Sequence, residues 1–384
     1  MSREIISANL RRLRMDRDLT QEALAEASGV TRVAYRNLET GVSLPRTETL
    51  QALARALSVG VQELVTPSCE LRHVRFRSFR RLNTREQILL EIGRRLRDFN
   101  EIEEILGDQV EYELRALALN LWGYGETSPA LAAAAVRQSF GLAPDEPVRD
   151  LCGLLESKGI KVLPLRIASD AFFGLSVGAV DGGPAVAVNT WDRISVERWI
   201  FTAAHELGHL VLHLDDYQVD RKDEEAKQEK EANLFASHLL MPPAVFQKEW
   251  NETYGMSFVD RVFKVKRMFR VSYRTVLYRL GEIGAVGPEI WQRFQGEYKH
   301  RFGKSLLKED EPSALAADAF RASFPEPSRA GEPEDLSPAD FMEDRLARLV
   351  RRAVETEAIT LARGAEILGL SISEMRQLSA SWVG

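Results

Sequence analysis

His205-Glu206-Leu207-Gly208-His209 places two imidazoles four residues apart, with a carboxylate directly after the first. The surrounding run from Trp199 to Leu210 has helical apolar spacing. On a helix, positions i and i+4 lie one turn apart on one face, so both rings can grip one tetrahedral zinc ion at about 2.0–2.1 Å. Zinc lowers the pKa of its water from 15.7 towards about 7, within the range of a modest carboxylate base. Glu206 is the candidate for that base and for proton delivery to a leaving amine. The alternatives are a chance match and a metal-free relative of such a site.

A catalytic zinc site takes three protein ligands and keeps one position open. Glu231 is the favoured third ligand, in the run Glu229-Lys230-Glu231-Ala232-Asn233, with Glu224, Glu225 and Glu229 competing. Phe235 and His238 share its helical face, and Phe235 marks that face as inward. His213 is the other contender. In a continuous helix it sits roughly 12 Å along the axis from His205, too far for one ion to hold both. The longer H-E-x-x-H-x-x-G-x-x-H pattern also fails, because Leu212 and Asp215 stand where its Gly and last His belong. His213 therefore reads as a packed or surface histidine. His238 is a candidate oxyanion donor, with simple packing as the alternative.

A second constellation lies near the N-terminus. Leu19 to Gly41 has helix–turn–helix form, with Thr20 and Thr31 as caps, Gly29 at the sharp turn and Gly41 at the end. Arg32, Val33, Arg36 and Asn37 project from the second helix. Arginine reads guanine, asparagine reads adenine, and valine touches a thymine methyl in the major groove. Gln21 and Arg46 suit phosphate contacts. The alternative is a purely structural helical bundle.

These residues must be positioned by several folding units. Residues 1–66 read as a five-helix unit and 67–127 as a basic helical connector, either solvated or supporting DNA binding. Within the connector, Val74, Phe76 and Phe79 alternate before the helical spacing of Ile88, Ile92, Leu96 and Phe99. Residues 128–250 read as α+β: two helices, β-like runs at Ile160–Leu165, Phe172–Val180 and Ala185–Val188, then the motif helix and an acidic helix. Residues 251–303 form a helical extension, winged-helix-like. The Pro-rich 304–340 stretch reads as a flexible linker, and 341–384 returns to helical spacing. The fold class is thus multidomain, mainly α with an α+β core and a short mixed sheet.

Composition narrows the functional classes. With 45% hydrophobic and 28% charged residues over 384 positions, wholesale disorder is excluded. A net charge of −6 confines nucleic-acid binding to local patches. The two cysteines, Cys69 and Cys152, offer neither a disulfide framework nor a thiolate zinc site, and suit a reducing cytoplasm. There is no signal-peptide pattern and no bilayer-length apolar run, so no membrane role is expected.

Two resemblances follow from these residues. The frame Thr20-Gln21, Gly29-Val30 and Leu38-Glu39-Thr40-Gly41 resembles XRE/Cro-type helix–turn–helix domains. Gly174-Leu175-Ser176, Val188-Asn189, Phe201 to Leu210, Glu231 to Ala236 and Leu239 to Pro242 together resemble the ImmA/IrrE family of zinc metallopeptidases. Val271 to Leu280 is similar to the helical segment after the peptidase core in that family. That resemblance implies a gluzincin-like Zn2+ site with Glu231 as third ligand, and a peptidase that cuts a repressor-type protein in a stress-response or mobile-element circuit. It leaves open whether the substrate is another regulator or this chain. Residues 358–378 resemble a small helix–turn–helix or antitoxin-like tail, with an ordinary docking helix pair as the alternative.

The expectation is a cytoplasmic regulator that binds a double-stranded DNA operator as a homodimer. Its substrate would lie extended beside the Ala185–Val188 strand, as an addition to the sheet edge. The rival expectation is a non-proteolytic DNA-binding switch or toxin–antitoxin-like regulator, its peptidase fold serving as sensor or scaffold.

Overall fold

In a computed structural model of the protein, the described residues are 3–15, 17, 19–65, 71, 74–78, 85–115, 117, 128–213, 226–284, 287, 289–307, 309–316, 319 and 332–382. The chain divides into two compact units, residues 1–71 with 83–98, and residues 72–82 with 99–384.

The first unit contains five helices, α1 (Arg3–Met15), α2 (Gln21–Ala27), α3 (Arg32–Glu39), α4 (Thr47–Ala56) and α5 (Val61–Val65). Their apolar faces meet at Leu10, Leu24, Tyr35, Leu53 and Leu57, all fully buried. Thr20 and Thr31 cap α2 and α3 as their sequence positions suggest, each accepting a backbone N–H three residues on. Gly29, at φ 71°, makes the turn between them.

The second unit carries a four-stranded sheet. Strand β1 (Val74–Ser78) precedes helix α6 (Arg85–Leu106), which contributes residues to both units. Helices α7 (Pro129–Ser139) and α8 (Leu151–Ser157) lead into β2 (Lys161–Leu165), β3 (Phe172–Val177) and β4 (Ala185–Asn189). The strand order is β1-β3-β4-β2, with β2/β4 parallel and the other two pairs antiparallel. The sheet is mixed, as expected, but two readings change. Val74–Ser78, expected within a helical connector, is an edge strand: its alternating apolar residues follow the two-residue period of a strand. The strand at 185–189 is interior, paired on both sides, so it has no edge for a peptide to join.

Helix α9 (Val196–Leu212) packs on the sheet and is followed by α10 (Ala226–Leu240), α11 (Pro243–Glu252), α12 (Phe258–Phe269), α13 (Tyr273–Glu282) and α14 (Ile290–Phe302). Close packing is built in by glycine. A Cβ on Gly174 would lie 2.5 Å from Thr202 Cγ2, and one on Gly208 would lie 3.0 Å from Phe235 Cδ1. These positions let α9 approach β3 on one side and α10 on the other. The start of α9 is anchored by Glu197, which accepts from buried Lys266; Lys266 also meets Glu311 at 3.1 Å. Asn189, fully buried, donates to the carbonyls of Ile167, Ser169 and Phe172 and accepts from Ile167 N–H, so it fixes the turn ahead of β3.

Described residues of the Pro-rich stretch are docked rather than free. Ala314 and Leu315 are buried, Glu332 pairs with Arg149 at 2.9 Å, and the Ala314 N–H donates to Glu334 O. Composition favours a linker, but buried apolar residues and several polar contacts, among them Glu311 with Lys266 and Leu315 O with Arg267, tie these segments to α12. The chain ends in helices α15 (Arg345–Glu355), α16 (Leu361–Leu368) and α17 (Ile372–Ala380). Among the described residues, no helix is long and apolar enough to cross a membrane.

One buried acid gives a pH test. Glu156 on α8 is 4% exposed; burial first, then the charges of Glu343 and Asp344, push its carboxyl up to about 8, against the Arg345 backbone hydrogen bond and Arg348. The folded state therefore binds this proton more tightly than the unfolded chain. The group's stabilising contribution is full below the unfolded value, about 4.3, and is lost as pH rises towards 8. Glu156→Gln is expected to raise stability by on the order of 2 kcal/mol at pH 8 and to have little effect near pH 4, read by thermal unfolding at both pH values.

Candidate metal centre and DNA-reading helix

His205 and His209 stand one turn apart on α9, and both rings are buried. Their Nε2 atoms approach to 3.0 Å. Each Nδ1 is occupied from behind: His205 Nδ1 meets Asn233 Oδ1 at 3.0 Å, and His209 Nδ1 meets His213 Nδ1 at 3.0 Å. Asn233 Oδ1 can only accept, so His205 carries its proton on Nδ1. His213 Nε2 in turn meets Glu231 Oε2 at 3.0 Å, so His213 donates there and accepts from His209. The contacts at Nδ1 hold both rings so that their Nε2 atoms turn towards one another.

The carboxylate facing those Nε2 atoms is Glu229. Its Oε1 lies 3.0 Å from His209 Nε2 and its Oε2 lies 3.3 Å from His205 Nε2. His205, His209 and Glu229 form a group able to hold a metal ion. Two donors each about 2.0–2.1 Å from a tetrahedral ion stand roughly 3.3 Å apart, so these separations match the edges of such a site. Burial, helped by the charges of His205 and Arg75, holds the His209 imidazole well below the ordinary histidine range, although Glu229 pulls the other way. Burial pushes Glu229 up, but contacts with His205 and His209 outweigh it and keep the carboxyl ionised. Two ring nitrogens and a carboxylate thus converge, an arrangement that a cation satisfies.

The structure sets a different acid from the expected Glu231 against the motif pair. Glu231 reaches His213, one contact removed from the motif pair, while Glu229 meets the pair itself. The buried face of α10 takes in Gln228, Ala232, Phe235, Ala236, Ser237, Leu239 and Leu240. At about 100° per residue, Glu229 lies nearer the centre of that face than Glu231 does. Phe235 and His238, taken alone, point towards Glu231, while the full buried set of the helix points towards Glu229. The other two acids weighed, Glu224 and Glu225, lie outside the described residues. Helix α9 stops at Leu212, and its cap residue His213 turns its imidazole back onto His209 at 3.0 Å.

Glu206 is fully buried on the same helix and accepts a 2.9 Å hydrogen bond from Ser176 Oγ on β3. Arg75 on β1 pairs in register with Ser176 and brings its guanidinium within 3.8 Å of Glu229. Neither partner was singled out for this role in the sequence, because both come from strands distant from the motif. His238 is engaged elsewhere, with Glu282 at 2.8 Å and Arg279 at 3.3 Å.

In the first unit, Val33 is 70% exposed and Arg32 and Arg36 are exposed on α3, with Asn37 half-buried beside them. Arg46 is exposed ahead of α4. The Gln21 amide donates to Glu39 at 3.1 Å, so one of its donors is used within the domain. Glu39 also takes two hydrogen bonds from Arg14; burial pushes its carboxyl up, but bonds from Arg14, Tyr35 and Gln21 hold it at about 2. This network locks α3 onto α1.

The helix-turn-helix family matches residues 10–64. An uncharacterized HTH-type transcriptional regulator, y4dJ of Sinorhizobium fredii, is 41% identical over 68 residues, covering 18% of this chain and 88% of that protein. The chain belongs to the helix-turn-helix transcriptional regulators. The cryptic phage CTXphi transcriptional repressor RstR of Vibrio cholerae is 39% identical to the regulator over 64 residues, 17% of this chain and 58% of that one. Residues 155–281 of the regulator match the IrrE N-terminal-like domain, a metallopeptidase family, and contain the whole metal group. The apo form of ComR from S. thermophilus aligns over 96% of the regulator and 99% of that chain, at 12% identity and a TM-score of 0.16, too low to establish a shared fold.

Proposed function

We propose that this regulator is a zinc-dependent endopeptidase that binds an operator through α3 and cleaves a repressor-type protein in a stress-response or mobile-element circuit. The observation that carries the reading is the convergence of His205 and His209 of α9 with Glu229 of α10, next to the buried Glu206 in the chain. When bound there, zinc supplies Lewis acidity that activates water and polarises a peptide carbonyl. The chain's own residues do the rest. Glu206 takes a proton from water and passes it to the leaving amine. Ser176 Oγ holds one Glu206 oxygen in place. Asn233 and His213 fix the motif rings so that their Nε2 atoms face inward. The work takes place in the cytoplasm, where the operator is, and the DNA-binding form is a two-fold dimer, which sedimentation of the DNA complex checks.

The test is a metal analysis of the purified protein, with a cleavage assay against the regulators encoded beside its gene. Stoichiometric zinc and chelator-sensitive cleavage are expected; a metal-free protein that still relieves repression would support the non-proteolytic switch instead. For the DNA side, Arg36→Ala and Asn37→Ala are each expected to weaken operator binding by about 1–3 kcal/mol and to relax base preference. Arg46→Ala should weaken all duplexes alike and flatten the salt dependence, read by binding titrations at several salt concentrations.

A further inference from the structure

The C-terminal helices repeat the geometry of the N-terminal reader. Thr20, Gly29 and Thr31 find counterparts in Thr360, Gly369 and Ser371, at identical spacing. Thr360 Oγ1 accepts the Arg363 N–H at 3.1 Å, as Thr20 accepts that of Ala23 at 3.1 Å. Ser371 Oγ accepts the Glu374 N–H at 3.2 Å, as Thr31 accepts that of Ala34 at 3.2 Å. Both glycines adopt left-handed turns, at φ 71° and 67°. The next residue closes each turn with the same backbone bond, Val30 N–H to Ala25 O at 3.0 Å and Leu370 N–H to Ala365 O at 2.8 Å. Tyr35 in α3 and Met375 in α17 are buried at matched positions, and α3 also buries Leu38 and Glu39.

Matched positions continue onto the outward face. Arg376 follows Met375 as Arg36 follows Tyr35, and Gln377 stands where Asn37 stands. Both C-terminal side chains are exposed. Ile372, 44% exposed, occupies the place of Arg32. The nearby acid, Glu374, is held back on the Ser371 N–H at 2.8 Å. Helix α15 supports the pair: a Cβ on Gly364 of α16 would touch Val350 and Val354 of α15 and Met375 of α17 at 3.0–3.2 Å. Three helices thus close around Gly364, a compact support like the bundle behind α3.

We propose that α15–α17 form a second DNA-reading unit, with α17 as its recognition helix and Arg376 and Gln377 facing base edges in the major groove. Arginine and glutamine there read guanine and adenine through paired hydrogen bonds, and Ile372 meets a thymine methyl. The target is double-stranded DNA with a sequence element different from that read by α3, because only the arginine is common to the two faces. The helix–turn–helix match ends at residue 64, so this unit lies wholly outside it.

The test is selection from a randomised duplex pool by the full-length protein, as wild type, Arg36→Ala/Asn37→Ala and Arg376→Ala/Gln377→Ala. The wild type is expected to enrich two different sequence elements. The C-terminal variant loses one and keeps the other, with affinity for the selected duplex falling by on the order of tenfold or more; the N-terminal variant does the converse. A third protein, Arg376→Gln, is expected to change base preference at one position of its element, which a misfolded protein cannot do. Wild-type enrichment of a single kind of element overturns the proposal. So does a C-terminal variant, or Arg376→Gln, with wild-type preferences and affinity; the α17 face would then serve a protein partner.

Discussion

Glu206→Gln is expected to retain stoichiometric zinc and yet lose peptide hydrolysis by roughly 10²–10⁴-fold, the usual contribution of a positioned acid–base group. The substitution preserves shape in a fully buried site and keeps an acceptor for Ser176 Oγ, so folding and the three-residue metal group are undisturbed. What disappears is the ability to accept a proton. Metal content, thermal unfolding and operator affinity should match the wild type, while cleavage of the repressor-type substrate and release of the operator are lost. Undiminished cleavage by the Gln variant would remove Glu206 from the chemistry. Undiminished derepression without cleavage would favour a switch that never cuts.

The second large effect separates two glutamates two residues apart. Glu229→Ala should leave the protein without stoichiometric zinc, because it deletes a group that meets both motif histidines at 3.0–3.3 Å. Glu231→Ala should weaken zinc by only about 10–100-fold, because it frees the far nitrogen of His213 and loosens the orientation of His209. His213→Ala should match Glu231→Ala, since both break the same relay. A competition titration against a chromogenic chelator ranks the three variants. Loss of stoichiometric metal in Glu231→Ala with retention in Glu229→Ala would restore Glu231 as the ligand.

Local signals account for much of the architecture. The Thr20, Gly29 and Thr31 frame announces two capped helices and a left-handed turn before any contact is known, and the structure builds them there. His205 and His209 are equally legible, since a spacing of four residues on a helix fixes a common face whatever surrounds it. The Val74–Ser78 strand was less so. Its alternation is short and sits in an arginine-rich stretch, and only pairing with β3 shows which period wins.

The sequence by itself determined the motif helix, its two imidazoles, the carboxylate between them and the helix–turn–helix frame, because each is encoded within a few turns of one element. Tertiary structure decided which carboxylate faces the motif pair. The histidines and the acids stand on different helices, and only the packing of α9 against α10, with Gly208 set against Phe235, brings Glu229 to within 3.0–3.3 Å of both rings. It also decided the supports: Ser176, Arg75 and Asn233 act on the site from β3, β1 and α10. Contacts between residues far apart in sequence depend on how helices and strands pack, and no local periodicity carries that information.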